Sequence, residues 1–215
     1  KLGGILLLFV QMFRLAAEPF FLADFKKEDF LKANAETLKY FLIVSMLLFL
    51  MISLFSDFFG LILGSDFRDG LFIIPVVLFA NIGNGIVFNL SFWYKRTGKT
   101  RLAILVTGSG LICTIVFNLL LLPRLVYAGA AWAHLGSEWI MVIVSYILSR
   151  IYYPVPYPLK RILFYLSGGI LFYFWGTWQK DISWTGNILF NLSLIVIYIG
   201  VVVKVEKINI SRHPF

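Results

Sequence analysis

Charge and cysteine are both scarce in this chain. Only 14% of its 215 residues are Asp, Glu, Lys or Arg, against 60% hydrophobic and 18% aromatic residues. Soluble domains carry about 25% charged and about 45–50% apolar residues, and a mean hydropathy of +0.88 lies outside that class. The apolar residues stand in long blocks instead of alternating, which excludes a transmembrane β-barrel. A single cysteine, Cys113, excludes an intrachain disulfide and any multi-cysteine metal site. The sequence has no Walker motif, phosphate loop or nucleophile elbow, so nothing in it points to nucleotide hydrolysis. No basic segment or small-residue cleavage site precedes the first apolar run, so that run does not read as a signal peptide. Residue 1 is Lys rather than Met, and we expect a fragment of a longer chain.

What is present is a series of apolar runs near the length, about 20 residues, that crosses a bilayer core. Seven spans are expected, at about 2–23, 40–63, 70–93, 102–122, 126–148, 161–178 and 186–203. The connecting segments then separate by charge. One side holds Lys26, Lys27, Lys32, Lys39, Lys95, Arg96, Lys99, Arg101, Arg150, Lys160, Arg161, Lys204, Lys207 and Arg212. The other holds only Arg68, Arg124 and Lys180. Cytoplasmic loops carry the Lys/Arg excess, so the crowded side is expected in the cytoplasm together with the C-terminus. Orientation also accounts for the net charge of +8, which therefore gives no sign of nucleic acid. Asp57, Asp66, Asp69 and Asp181 fall near outer span ends and read as solvated caps.

Other stretches refine the outline. Residues 25–39 mix charge with Phe25, Phe30, Leu31, Ala35 and Leu38, the pattern of a helix lying on the cytoplasmic interface. Pro154, Pro156 and Pro158 make a stiff connector. It divides a five-span bundle, residues 1–153, from two last spans and a tail, residues 154–215. Trp93 with Tyr94, Tyr152 with Tyr153, and Trp175 with Trp178 stand at span ends, where aromatic belts form.

Three polar groups interrupt the apolar runs. Arg14 and Glu18 stand four residues apart in the first span, with Gln11 on the same face and Pro19 following. A charge at the middle of a membrane helix costs about 2.5–3.5 kcal/mol on insertion scales, so this face needs a partner helix or a wet cavity. The pair serves either a substrate anion or proton pathway, or as a pin between helices. In the third span Asn81 and Asn84 share a face beside Gly83 and Gly85. Buried amides line polar cavities and equally act as glue between helices. His134 and Glu138 repeat the four-residue spacing in the fifth span. They suit a proton relay or a buried hydrogen-bonded pair. With no third ligand nearby they make no zinc site, and no metal or cofactor is expected.

The runs QMFRLAAEPFFLADFKKED, WYKRTGKT and NLLLLPRLVYAGAAWAH resemble the C-terminal half of bacterial polysaccharide exporters of the Wzx type. These are O-antigen and capsule flippases of the multidrug/oligosaccharidyl-lipid/polysaccharide exporter superfamily. The likeness covers nearly the whole chain, is strongest over residues 10–160, and rests on hydrophobicity alone in the last two spans. It implies an all-α membrane fold, with these seven spans forming the second half of a fourteen-helix, two-bundle exporter in the bacterial inner membrane. It further implies flipping of a polyprenyl-pyrophosphate-linked oligosaccharide by alternating access, without covalent chemistry. Arg14 would face the cavity toward pyrophosphate, with Gln11, Asn81 and Asn84 as further substrate contacts and Glu18, His134 and Glu138 as ion or proton groups. The implied partners are the lipid-linked oligosaccharide, membrane lipids, the N-terminal half of the same protein, a polysaccharide polymerase and glycosyltransferases. A cation-coupled multidrug exporter is the nearest alternative. A membrane glycosyltransferase or acyltransferase using His134 and Glu138 is a weaker one, because the longest connector is too short to house a soluble catalytic site.

Overall fold

The computed structural model describes residues 3–23, 26–56, 58–59, 70–179 and 184–206. Seven long helices run through them: α1 Gly3–Leu22, α2 Lys27–Leu54, α3 Ile74–Arg96, α4 Arg101–Leu125, α5 Tyr127–Tyr152, α6 Leu159–Trp178 and α7 Trp184–Glu206. No strand occurs among the described residues. Six of the helices combine the length and hydropathy of a membrane span. The sixth helix, α6, has 20 residues and thus reaches about 30 Å. Lys160, Arg161, three glycines and several Tyr and Trp residues dilute its hydropathy. The protein is an all-helical multi-pass membrane protein. Asp57, Asp66, Asp69 and Asp181, the basic Lys1, Arg68, Lys180, Lys207 and Arg212, and residues 60–63 of the second expected span lie outside the described residues.

Helix boundaries follow local chemistry. Pro75 stands in the first turn of α3, where its missing N–H costs no hydrogen bond. The last turn of α3 carries Lys95 and Arg96, cations that suit the negative end of the helix dipole. Gly98, at φ +68°, then turns the chain toward α4. A single residue, Val126, at φ 49°, joins α4 to α5. Pro19 lies inside α1 rather than ending it, and the helix continues for three residues. The stretch expected along the interface is the start of α2. From Lys27 to Leu54 no Gly or Pro interrupts the chain, so one helix of 28 residues, about 42 Å, carries the charged turns straight into the apolar ones.

Helix α3 is central, packing on α1, α2 and α5, while α2 also meets α6 and α7, and α4 leans almost entirely on α5. Lipid tails are as apolar as leucine, so close packing rather than hydrophobic expulsion must hold such helices together. Small residues supply it. A Cβ on Gly85 would enter the Phe41 ring, one on Gly136 would enter Phe117, and one on Gly110 or Gly169 would enter Met141 or Met46. The α6 and α7 residues Ile162, Tyr165, Leu194 and Tyr198 share one core with Leu42, Met46 and Leu50 of α2.

The basic ends of α3, α5 and α7 gather at one end of the bundle with the basic starts of α2, α4 and α6, while Arg124 in the last turn of α4 lies at the other. At the basic end Phe21, Phe30, Phe92, Trp93 and Tyr153 form an aromatic cluster, with Phe21 stacked on Phe92 at 4.8 Å. Trp93 is fully buried and Tyr94 nearly so. These two are therefore core residues and not belt anchors, because α1, α2 and α5 converge on that face of α3. Trp175 and Trp178 at the opposite end are exposed, as belt anchors require. The proline connector is short and ordered. Tyr157 N donates to Val155 O and Leu159 N to Tyr157 O, two tight turns centred on Pro156 and Pro158. They carry the Tyr157 hydroxyl into the core, where it accepts a hydrogen bond from Asn34 at 3.1 Å.

Candidate functional site

Residues Asn81, Asn84, Phe88 and Lys95 recur at spacings of three, four and seven, so they form one stripe along α3. Helices α1 and α5 flank α3 and pack little against each other. The stripe therefore lies at the floor of a cleft between them, and the polar residues of both neighbours meet it there.

On the α1 side the cluster is built around one carboxylate. Arg14 Nε donates to Glu18 Oε2 at 3.4 Å, and Lys95 Nζ donates to Glu18 Oε1 at 2.5 Å. The Arg14 guanidinium also lies over the Phe88 ring, 4.6 Å from its centre. Two cations thus share one anion, and the side chains stay 39%, 28% and 27% exposed for Arg14, Glu18 and Lys95. The cluster keeps an excess positive charge within reach of the cleft. Glu18 is one turn from the end of α1, and Arg14 about two turns from it. Arg96 donates to the carbonyl oxygens of Phe21 and Ala23, which ties the end of α1 to α3.

On the α5 side the cluster is more enclosed. Asn84 Nδ2 donates to Glu138 Oε1 at 3.2 Å. His134 Nδ1 stands 3.9 Å from the same oxygen, near but not hydrogen-bonded, and its side chain is 44% exposed. Glu138 Oε2 is buried without a partner. Gly83 makes the approach possible, since a Cβ there would stand 3.2 Å from Glu138 Cβ. Asn84 and Phe88 are one helical turn apart on α3, about 6 Å along its axis, so the two clusters are neighbours along one floor.

The expected site residues divide accordingly. Arg14, Glu18, Asn84, His134 and Glu138 all meet the cleft. Asn84 is joined to Glu138, so it is part of the carboxylate's environment. Asn81 donates instead to Gly3 O at 2.9 Å and pins the start of α1. Gln11 is half-buried and makes no hydrogen bond among the described residues. No group of three or more metal-ligating side chains occurs among the described residues.

Two features escaped the sequence reading. Lys95 counted as a loop charge, although the seven-residue step from Phe88 places it on the stripe. The second is a polar knot at the basic end: Lys39 Nζ bonds Glu36 and Glu206, both at 2.6 Å, and Tyr165 and Arg161 donate to Glu206 at 2.7 and 3.3 Å. Its partners come from α2, α6 and α7, and no local spacing announces them. No protein-family model, curated protein or solved structure matches this chain.

Proposed function

We propose that this chain forms one wall of a transporter that flips a polyprenyl-pyrophosphate-linked oligosaccharide across the bacterial inner membrane by alternating access. The basic end of the bundle is cytoplasmic in this reading. The observation that carries it is the cluster of Arg14, Lys95 and Glu18 on one side of a cleft. A phosphate group needs fixed cations that are partly neutralised while empty and that can exchange one carboxylate for another anion. Arg14 brings a planar fork suited to two phosphate oxygens, and Lys95 brings a mobile point charge. The likeness to polysaccharide exporters in the α1, α3–α4 and α4–α5 segments supports the same reading. Helices α1 to α5 would line the cavity with the N-terminal half of the protein, with no covalent step and no cofactor.

A second reading is a cation-coupled multidrug exporter, favoured by Glu138. A buried carboxyl with one oxygen unpartnered, beside an amide and an imidazole, is the kind of group that binds a proton or cation during transport. The excess positive charge at Arg14 and Lys95 disfavours cationic cargo.

The test compares the full-length gene with its deletion and with Arg14→Ala at equal membrane abundance. Surface polysaccharide and the lipid-linked precursor of the inner leaflet are measured together. Loss of surface glycan with precursor accumulation in both strains supports a flippase that uses Arg14. Loss in the deletion alone leaves Arg14 as a structural ion pair. An unchanged deletion strain overturns the flippase reading and moves drug or ion export to the front.

A further inference from the structure

Helix α4 leans almost entirely on α5, and a single residue, Val126, joins the two. They run antiparallel with nearly equal lengths, 25 and 26 residues. Arg101 opens α4 and Arg150 lies in the last turn of α5. At 1.5 Å of rise per residue the two arginines therefore stand at one level to within about 3 Å, on packed helices whose axes lie about 8–10 Å apart.

Each arginine tops an apolar ridge. On α4, Arg101 shares a face with Ile104, Leu105 and Ile112, all exposed. On α5, Arg150 follows the exposed ridge of Ile143 and Ile147 by three residues, with Ile151 beside it. Leu102, Ala103 and Leu148 of the same turns pack inward on the aromatic cluster, which leaves the ridges to face out. A third cation links the two helix ends. Lys99, in the turn before α4, holds its ammonium 5.3 Å from the centre of the Tyr152 ring at the end of α5.

The charges here are treated differently from others at the same end. Glu18 neutralises Arg14 and Lys95, and Glu36 with Glu206 neutralises Lys39. Lys99, Arg101 and Arg150 are exposed, and none pairs with a carboxylate among the described residues. From Lys95 to Lys180 the sequence has one acidic residue, Glu138. It lies about 18 Å along α5 from Arg150. Three cations over two apolar ridges thus await an anion that carries its own apolar body.

We propose that this end of the α4–α5 pair binds an anionic phospholipid, with the headgroup phosphate between Arg101 and Arg150 and the acyl chains along the two ridges. Guanidinium forks pair with phosphate oxygens, and Lys99 adds a further cation from the loop. A zwitterionic headgroup brings a cation of its own to the same three charges and is disfavoured. None of these residues meets the cleft between α1 and α5, so the site is independent of the transport reading.

The test is native mass spectrometry of the full-length protein titrated with phosphatidylglycerol and with phosphatidylcholine of identical chains. Phosphatidylglycerol should bind at least about tenfold more tightly, since each Lys or Arg near an anionic lipid contributes roughly fivefold. Arg101→Gln with Arg150→Gln should weaken phosphatidylglycerol binding about thirtyfold on the same scale and leave phosphatidylcholine unchanged. Both side chains are exposed, so the unfolding temperature should stay at the wild-type value. Lys160→Gln with Lys204→Gln removes equal charge elsewhere at the basic end and should preserve the preference. Equal binding of the two lipids, or equal loss in the lysine control, overturns the site. Full competition by glycerol phosphate, which has the headgroup without chains, overturns the lipid and leaves a small-anion site. Unchanged binding in the arginine pair also overturns it, the result expected if a second copy or another part of the protein covers this face.

Discussion

Lys39 Nζ and Glu206 Oε2, 167 residues apart in the chain, lie 2.6 Å from each other, and each side chain is only 3% exposed. The pair joins the second helix to the end of the last, and Tyr165 and Arg161 bring in the sixth through the same carboxylate. Two buried ions attract strongly but have each surrendered hydration, so their net worth against an apolar pair is small. Removing Glu206 alone is another matter, because Lys39 keeps only the half-exposed Glu36 and the Tyr165 hydroxyl and Arg161 lose their acceptor.

Glu206→Ala is therefore expected to cost about 1–3 kcal/mol of stability, read as a lowered unfolding midpoint of the purified protein in detergent. Lys39→Met with Glu206→Met should recover most of that loss. Equal damage in the single and double variants would show that the two charges are not coupled.

At Glu18, one carboxylate neutralises two cations. Glu18→Gln leaves Arg14 and Lys95 free of their shared anion, and charge-assisted hydrogen bonds to phosphate are the strong ones. Binding of a pyrophosphate-headed prenyl lipid in nanodiscs should tighten severalfold. Unchanged or weaker binding would remove the cluster from the phosphate path.

Glu138 and Asn84 separate structure from transport. Glu138→Gln keeps a carbonyl oxygen to accept from Asn84, so stability should stay within about 0.5 kcal/mol of the wild type. Glu138→Leu leaves the Asn84 amide without its acceptor and should cost about 1–3 kcal/mol. Thermal unfolding of the two variants distinguishes these outcomes. If Glu138 carries the coupling proton, Glu138→Gln stops pH-driven uptake in proteoliposomes although the protein remains folded.

Gly85 lets the Phe41 ring lie against the α3 backbone. Gly85→Ala should cost about 1–3 kcal/mol by overpacking, and Phe41→Leu in the same chain should relieve part of it. Gly108, where a Cβ meets nothing within 4 Å, is the control and should accept Ala without loss. Equal effects at both glycines would mean that the close approach of α2 and α3 does not matter.

The helices and their limits were largely legible in residue order. Apolar run length, charge at run ends, and turn residues such as Gly98 and the three prolines act within a few residues, and the seven helices follow them. What composition did not announce is that the interface stretch and the second span are one helix, because continuity depends on the absence of a breaker up to Leu54. Trp93 was misjudged for a similar reason: a Trp at a span end suits a belt, and only the convergence of neighbouring helices buries it.

The site was half legible. The pairs Arg14–Glu18 and His134–Glu138 are set by the helical repeat and could be placed on shared faces from spacing alone. That Glu18 belongs also to Lys95, that Asn84 belongs to Glu138 while Asn81 belongs to Gly3, and that Lys39 and Glu206 meet at all, depends on which helices are neighbours.

The sequence by itself determined a multi-pass helical membrane protein with its cations gathered on one side, because bilayer thickness and backbone hydrogen bonding leave an apolar run of this length one stable form. Tertiary structure alone decided which polar groups neutralise one another. Helix neighbours in a membrane are chosen by the fit of small residues against large ones, such as Gly85 against Phe41, and that fit is not written in the spacing of either helix.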